Sequence, residues 1–396
     1  MMNLLPMELW DFGVRDLVRA AASAARRVPP DGRLALPELG PAFPIRSARA
    51  AIIIALRALE LNSGARIGVP LYCCPVVFKA VREAGCVPLF IDVDPQTYCL
   101  SLEDTAAKAA RLDALIAVHM FGNVADMAGL RAVMGNRPIV EDCAQSLGSR
   151  RDGRPAGGFG DIAVFSFRSG KYLSVGEGGG LYAGREDLRA RVAALVDAAP
   201  ASGTAEELVH VATTFLRSKL RSRPLYGLVG TWIWGVYNRN VDFVSKSPIA
   251  LGRIHRSDLA LARARLLALE SLIRRQRANA AFYDAHLALD PAMRRGESPG
   301  ARFNRYLYPL VFPSTALRDA MAARLRAKGV GTARPYEDVI AGAAQNYGYA
   351  GDCPAAEALL RRTLIIPSHY KLRQRQVERI CRSVNEAWAR VAPRVS

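Results

Sequence analysis

The sequence predicts an α/β fold. A large, mostly parallel-sheet domain is expected over residues 46–255, and a smaller C-terminal α/β domain over residues 256–396. Three observations carry that expectation. Between residues 46 and 183, short apolar runs of strand length alternate with helix-length stretches, an order that buries a parallel sheet between helices on both faces. Each run is closed by Gly, Asn-Ser-Gly or Asp-Pro punctuation. After residue 256, a helix, a strand, a helix and a closing helix repeat the scheme on a smaller scale.

Residues 1–45 read as an N-terminal arm. Trp10, Val14, Leu17 and Ala21 fall there at helical spacing, with Arg15 and Arg19 on the opposite face, and Pro29-Pro30-Asp31-Gly32 ends the helix. The acidic Glu8, Asp11 and Asp16 argue against a targeting peptide. A buried helix is expected over 49–61, stopped by Asn62-Ser63-Gly64. There follow a strand at 65–69, a helix at 77–84 ending at Gly85, and a strand at 87–93 stopped by Asp94-Pro95. Further strands are expected at 114–119, 138–141, 162–167 and 180–183. Residues 203–247 break the alternation as an insertion, with a basic stretch at 217–223 and an apolar one at 225–237. The apolar stretch is too short to span a bilayer. It packs on the protein or a second subunit, or lies at a membrane surface. From Asp258 one long helix carries Leu259, Leu261, Leu266, Leu269 and Leu272 to about His286. A strand at 306–312, a helix at 314–328 and a final helix at 373–391 complete the chain.

Composition bounds the partners. The 396 residues are 51% hydrophobic, enough for two packed domains, and the net charge of +18 admits nucleic acid, an anionic membrane surface or phosphorylated substrates. No Lys/Arg tract with interleaved aromatics and no zinc-finger or RNA-binding pattern occurs, so no nucleic-acid partner is expected. The seven cysteines, Cys73, Cys74, Cys86, Cys99, Cys143, Cys353 and Cys381, are odd in number and fit no metal spacing. No metal ligands are singled out. Reduced, buried thiols suit a cytoplasmic protein, and the N-terminus lacks the basic region and apolar core of a secretion signal.

The chemistry concentrates at strand ends, where ligands of such sheets bind. The stretch 164–180 runs from an apolar strand through Ser166 to Lys171, then into Gly176-Glu177-Gly178-Gly179-Gly180. A lysine fixed at a strand exit and partly desolvated can lose its proton and attack an aldehyde; in isolation it also reads as a solvated loop lysine. Asp142 ends the strand 138–141. A carboxylate there can pair with the pyridine nitrogen of pyridoxal 5′-phosphate (PLP) and keep it protonated, or simply cap a helix. Gln145 and Ser146 follow at a spacing that returns one side chain to the ring. Ser166, with the backbone after Ser47 at the start of helix 49–61, can hold a phosphate.

Several segments resemble the DegT-type sugar aminotransferases. Val140-Glu141-Asp142-Cys143-Ala144-Gln145 resembles that family's VEDAAQ, and Phe165-Ser166-Phe167 through Lys171 to Gly176-Glu177-Gly178-Gly179 resembles its FSF…K…GEGG. The stretch from Val118-His119-Met120-Phe121-Gly122 to Asp126-Met127 is similar to VHLYGQPADM, Ser47-Ala48-Arg49 to the phosphate-loop segment, and Ile366-Pro367-Ser368-His369 to LP-x-H. Order and spacing agree over residues 46–390. The resemblance implies a PLP-dependent transferase of fold type I, working as a homodimer with a shared active site in the cytoplasm. Lys171 would carry the cofactor and shuttle a proton, Asp142 would meet the ring nitrogen, and Gln145 the ring hydroxyl side. Ser166 and the backbone at Ala48 and Arg49 would bind the phosphate. An amino acid, glutamate above all, would donate nitrogen to a keto sugar, nucleotide-linked, for polysaccharide or antibiotic-sugar synthesis.

The chain also departs from that pattern. Ala48 replaces a glycine. The ring-stacking aromatic aligns with Cys74, so Tyr72, the Cys74 thiol or His119 would face the ring. The partner subunit's asparagine aligns with Arg253, so Arg253 or His255 would reach the phosphate across the dimer. Two other functions remain open: a PLP-dependent sugar dehydratase or lyase, against which Lys171 argues, and a non-catalytic scaffold that kept the fold.

Overall fold

The computed structural model describes residues 4–8, 10–26, 32–221 and 248–392. The apolar stretch expected at 225–237 lies outside them. In chain order the elements are α1 (Val14–Ala24), β1 (Leu34–Leu36), β2 (Gly40–Ile45), α2 (Ala48–Ala58), β3 (Arg66–Pro70), α3 (Val76–Glu83), β4 (Val87–Ile91), α4 (Leu102–Lys108), β5 (Ala114–Val118), α5 (Met127–Met134) and β6 (Ile139–Asp142). Short strands β7 (Arg150–Arg151) and β8 (Arg154–Pro155) precede β9 (Ile162–Ser166), β10 (Gly179–Tyr182), α6 (Glu186–Asp197) and α7 (Thr204–Leu220). Then come α8 (Arg256–Leu266), α9 (Leu269–His286), β11 (Ala301–Arg302), β12 (Tyr308–Val311), α10 (Thr315–Ala327), α11 (Val339–Tyr347), α12 (Pro354–Arg362), β13 (Thr363–Ile366) and α13 (Gln374–Val391).

Eight strands form one sheet in the order β1-β2-β10-β9-β6-β5-β3-β4. The neighbours β4, β3, β5, β6 and β9 run parallel, and β10, β2 and β1 add an antiparallel edge. The parallel strands are buried on both faces, which is why Ala114-Leu115-Ile116-Ala117-Val118 reads as a continuous apolar run without alternation. Helix α2 is apolar nearly all round, with Ala50 to Leu56 buried throughout, and packs beneath β9 and β10. Ser47 caps it by accepting the Ala50 N–H at 3.2 Å.

Two expectations change. The arm foreseen over 1–45 ends earlier, because residues 34–45 supply β1 and β2 to the sheet; Gly and two Pro residues in β2 hid it from a strand reading. The single helix foreseen from Asp258 to His286 is two, broken at Leu267 and Ala268, where Leu267 is 92% exposed. The break has a packing reason: α8 lies against α1, whereas α9 lies against α13 of the small domain, and one straight rod reaches only one of them. That small domain is the β12–β13 antiparallel pair with α9, α10 and α13 around a core including Tyr308, Leu310, Leu364 and Ile366. Leu5 joins it through hydrogen bonds with Gly329 and Gly331, so the chain start crosses between the two cores.

Candidate active site

The carboxyl ends of β3, β5, β6 and β9 converge on one cleft. Lys171 sits in the loop after β9, in a turn closed by its N–H to the Arg168 carbonyl at 3.0 Å. Gly170 has φ of +95° and Ser174 φ of +41°, and the Ser174 hydroxyl accepts the N–H of Gly170 at 3.2 Å and of Asp11 at 3.3 Å. One hydroxyl thus ties the lysine loop to the N-terminal arm. The Lys171 ammonium lies 4.4 Å over the Tyr306 ring, and the Tyr306 hydroxyl donates to the Gly170 carbonyl at 3.2 Å. Burial first, and the charge of Arg168 second, lower Lys171 to about 8, while Glu8, Asp142 and Cys74 oppose the shift.

Asp142 is buried at the end of β6. Burial raises its pKa above the ordinary carboxylate value, opposed by the Ala144 N–H it accepts at 2.9 Å and by the charges of Lys171 and His119. His119 stands behind it. Its backbone N–H reaches the Asp142 carbonyl at 3.1 Å, and its ring is fully buried, with Nε2 at 2.9 Å from Glu141 and Nδ1 accepting the Ala125 N–H at 3.2 Å. Both ring nitrogens are engaged away from Lys171. Gln145 is held at both ends: Oε1 accepts the Phe121 N–H at 3.1 Å, and Nε2 donates to the Tyr336 hydroxyl at 3.2 Å.

Tyr72 and Cys74 are separated by the structure. Tyr72 is wholly buried, edge-on to Tyr98, Phe121 and Tyr336, and so lies in the aromatic floor rather than over Lys171. Cys74 is half-buried and feels Arg168, Lys171 and Asp142; burial is the main cause of its raised pKa. Arg253 is exposed, and its guanidinium donates to the carbonyls of Asp197 and Ala199 in its own chain. His255 is buried against His210, ring centroids 4.0 Å apart.

The anion-binding end is built from close backbone approach. Gly178 pairs with Ser47 in a parallel bridge, and a Cβ on Gly179 would lie 2.5 Å from the Ala48 nitrogen. Gly179 in turn pairs with Ser166 across β9 and β10. The hydroxyl-bearing end of β9 and the first turn of α2, whose Ala48 and Arg49 N–H groups have no intrahelical partner, therefore meet at a glycine. A side chain at Gly179 would fill that cradle. The cleft thus offers a partly deprotonated amine, a buried carboxylate and a ready phosphate seat, which is the donor set PLP requires.

Sequence reasoning gave no site role to four neighbours of Lys171. Arg168 is exposed in the cleft, and its side chain has no hydrogen bond or ion pair among the described residues; it lay inside the very motif that names Lys171. Glu8 acts electrostatically on both Arg168 and Lys171. Tyr306 and His369 line a small cavity beside Lys171. Glu8 and Tyr306 come from segments far from the motifs, and no local pattern marks them.

The family described as DegT/DnrJ/EryC1/StrS aminotransferase matches residues 41–218 and 235–385. The UDP-N-acetyl-3-dehydro-alpha-D-glucosamine 3-aminotransferase of Acidithiobacillus ferrooxidans is 30% identical over 340 residues, 83% of this chain and 79% of that protein. The L-glutamine:scyllo-inosose aminotransferase of Streptomyces griseus is 37% identical over 151 residues, 37% of this chain and 36% of its own. Among solved structures, DesV of S. venezuelae superposes with a TM-score of 0.72 at 25% identity, covering 97% of this chain and 99% of its own. Spr1654 of Streptococcus pneumoniae in its PMP form gives 0.75 at 19% identity, covering 98% of both chains.

Proposed function

The chain belongs to the DegT/DnrJ/EryC1/StrS aminotransferase family, and from that premise we propose that it moves an amino group from glutamate or glutamine to the keto carbon of a nucleotide-linked sugar. The observation that carries the reading is the convergence of Lys171, Asp142 and the Gly179 cradle on one cleft. PLP, when bound, supplies the electron sink for the bond breaking at the donor's α-carbon. Asp142 holds the positive charge on the ring nitrogen. Ser166 and the N–H groups of Ala48 and Arg49 hold the phosphate. The Lys171 Nζ takes the proton from the donor's α-carbon and returns it on the other side of the transfer; with a pKa near 8 it exchanges a proton readily close to neutrality. Gln145, clamped by Phe121 and Tyr336, lines the hydroxyl side of the ring.

The acceptor reading is supported by the Acidithiobacillus ferrooxidans relative matched over 340 residues, which by its name acts on a UDP-linked 3-keto amino sugar. The excess of basic residues suits a diphosphate-bearing substrate. Work as a cytoplasmic homodimer with a shared site, in polysaccharide or antibiotic-sugar synthesis, completes the proposal. No described helix is long and apolar enough to cross a membrane. The test is a half-reaction screen. Glutamate or glutamine is expected to bleach the yellow PLP-loaded protein, and a nucleotide-linked keto sugar to restore the colour. If no amino acid bleaches it, the reading fails.

Arg168 is the group for the donor's carboxylate. Among the described residues its side chain makes no hydrogen bond or ion pair, and it stands one turn from Lys171. Arg168→Gln is expected to raise the donor KM about 10- to 100-fold, the loss of one charged hydrogen-bonded contact, with a smaller change in kcat. An unchanged donor KM in steady-state kinetics would remove this role.

A further inference from the structure

A second cluster lies behind the phosphate cradle. Glu177 follows Gly176 in the loop before β10, His210 lies on α7, and His255 precedes α8. The ligand atoms of these three side chains all lie within 4.8 Å of one another. The two imidazoles are stacked, 19° from parallel. His255 is 2% exposed, and its Nδ1 is buried with no hydrogen-bond partner among the described residues. A buried ring nitrogen left unpaired costs free energy unless something fills the site. Asp258 stands beside the cluster, at 2.8 Å from His210 Nε2, and accepts the Glu177 N–H at 3.1 Å. This is how an outer carboxylate orients a metal-binding histidine and fixes its tautomer.

We propose that Glu177, His210 and His255 form a binding site for a first-row divalent transition-metal ion, zinc above all, with Asp258 as the orienting carboxylate. Two imidazoles and a carboxylate are a ligand set suited to zinc, leaving a fourth position for water or another group. The charges balance. Glu177 and Asp258 carry two negative charges against the ion's two positive, and the nearby Arg46 is paired with Glu206 at 3.0 Å. Ligand atoms around a tetrahedral ion lie about 3.3 Å apart, given bonds of about 2.0 Å. The site therefore contracts on binding: the lone pair of an imidazole nitrogen lies in its ring plane, so one ring turns out of the stack toward the ion, and the half-exposed Glu177 side chain follows.

The contrast with the group His119, Glu141 and Cys143, equally close-set, is instructive. There both His119 nitrogens are hydrogen-bonded, and the Glu141 carboxylate accepts N–H groups from Gly157, Phe159 and Gly160. That cluster is closed by its own partners. At His255 Nδ1 no partner stands among the described residues. The Gly176 backbone presses on the same place: a Cβ there would lie 3.0 Å from Asp258 Oδ1 and 3.1 Å from His210 Nε2. An ion would thus tie α7 and the start of α8 to the loop that forms the Gly178–Gly179 cradle.

The test uses the full-length protein without an affinity tag, stripped by a chelator and titrated with Co²⁺ and with Zn²⁺. One ion per chain is expected, with the visible absorption of tetrahedral Co²⁺ displaced by Zn²⁺. His210→Ala and His255→Ala are each expected to weaken Zn²⁺ binding by more than about 100-fold, and Asp258→Asn by about 10- to 100-fold. Should either histidine variant fail to fold, Glu177→Gln gives the same reading from the half-exposed ligand. Absence of saturable binding to the parent protein, or binding unchanged in the variants, overturns the proposal. Because the readout is metal affinity, it stands or falls apart from transamination.

Discussion

Lys171→Ala is expected to yield a colourless protein with transamination reduced by at least about 10⁴-fold, since the variant loses both the covalent anchor and the proton carrier. Borohydride should fix the cofactor on Lys171 of the parent chain, visible as a modified peptide by mass spectrometry, and fix nothing on the variant. Turnover within about tenfold of the parent would remove Lys171 from the chemistry. The same group predicts a pH dependence. Burial and Arg168 lower Lys171 to about 8, so its neutral, reactive form gains as pH rises through that value. Roughly a tenth of the amine is neutral at pH 7. Capture of PLP by the stripped protein is therefore expected to accelerate from pH 6 to 8 and to level off above it. A rate flat across that interval would contradict the lowered pKa.

Much of the site is written locally. Asp142, Gln145, Ser166 and Lys171 sit at or just past strand ends, and the apolar strands that aim them are marked by composition alone. What the sequence hides is where a side chain points once its strand is packed. Tyr72 and Cys74 are two residues apart after β3. The chain turns there so that the tyrosine enters the aromatic floor with Tyr98 and Tyr336, and the cysteine is left beside Lys171. Arg253 carries a charge that a phosphate would welcome, yet the carbonyls of Asp197 and Ala199, brought close by α6, hold it in its own chain. Glu8 and Tyr306 reach Lys171 through long-range packing that leaves no periodic trace. The Gly178–Gly179 cradle was legible as a glycine run, but its purpose needed the bridge from Ser47 to Gly178.

Replacing Asp142 separates its two roles. One is structural: its Oδ1 accepts the Ala144 N–H at 2.9 Å, a local cap that asparagine also supplies. The other, proposed role is electrostatic: a buried carboxylate here would keep the ring nitrogen of bound PLP protonated. If the cap matters most, Asp142→Asn stays active and Asp142→Ala does not. If the charge matters most, both lose about 10³-fold in kcat, in line with removing a preorganised charge from a desolvated site. The second outcome is expected. Burial raises the Asp142 pKa, opposed by the Ala144 N–H and then by the charges of Lys171 and His119, so the structure sustains a costly carboxylate here. A PLP analogue methylated on the ring nitrogen bears the positive charge without needing a proton. In Asp142→Ala, which leaves room for the methyl group, that analogue is expected to restore turnover well above the level given by PLP. Equal rates with the two cofactors would mean that Asp142 acts only by holding the turn after β6.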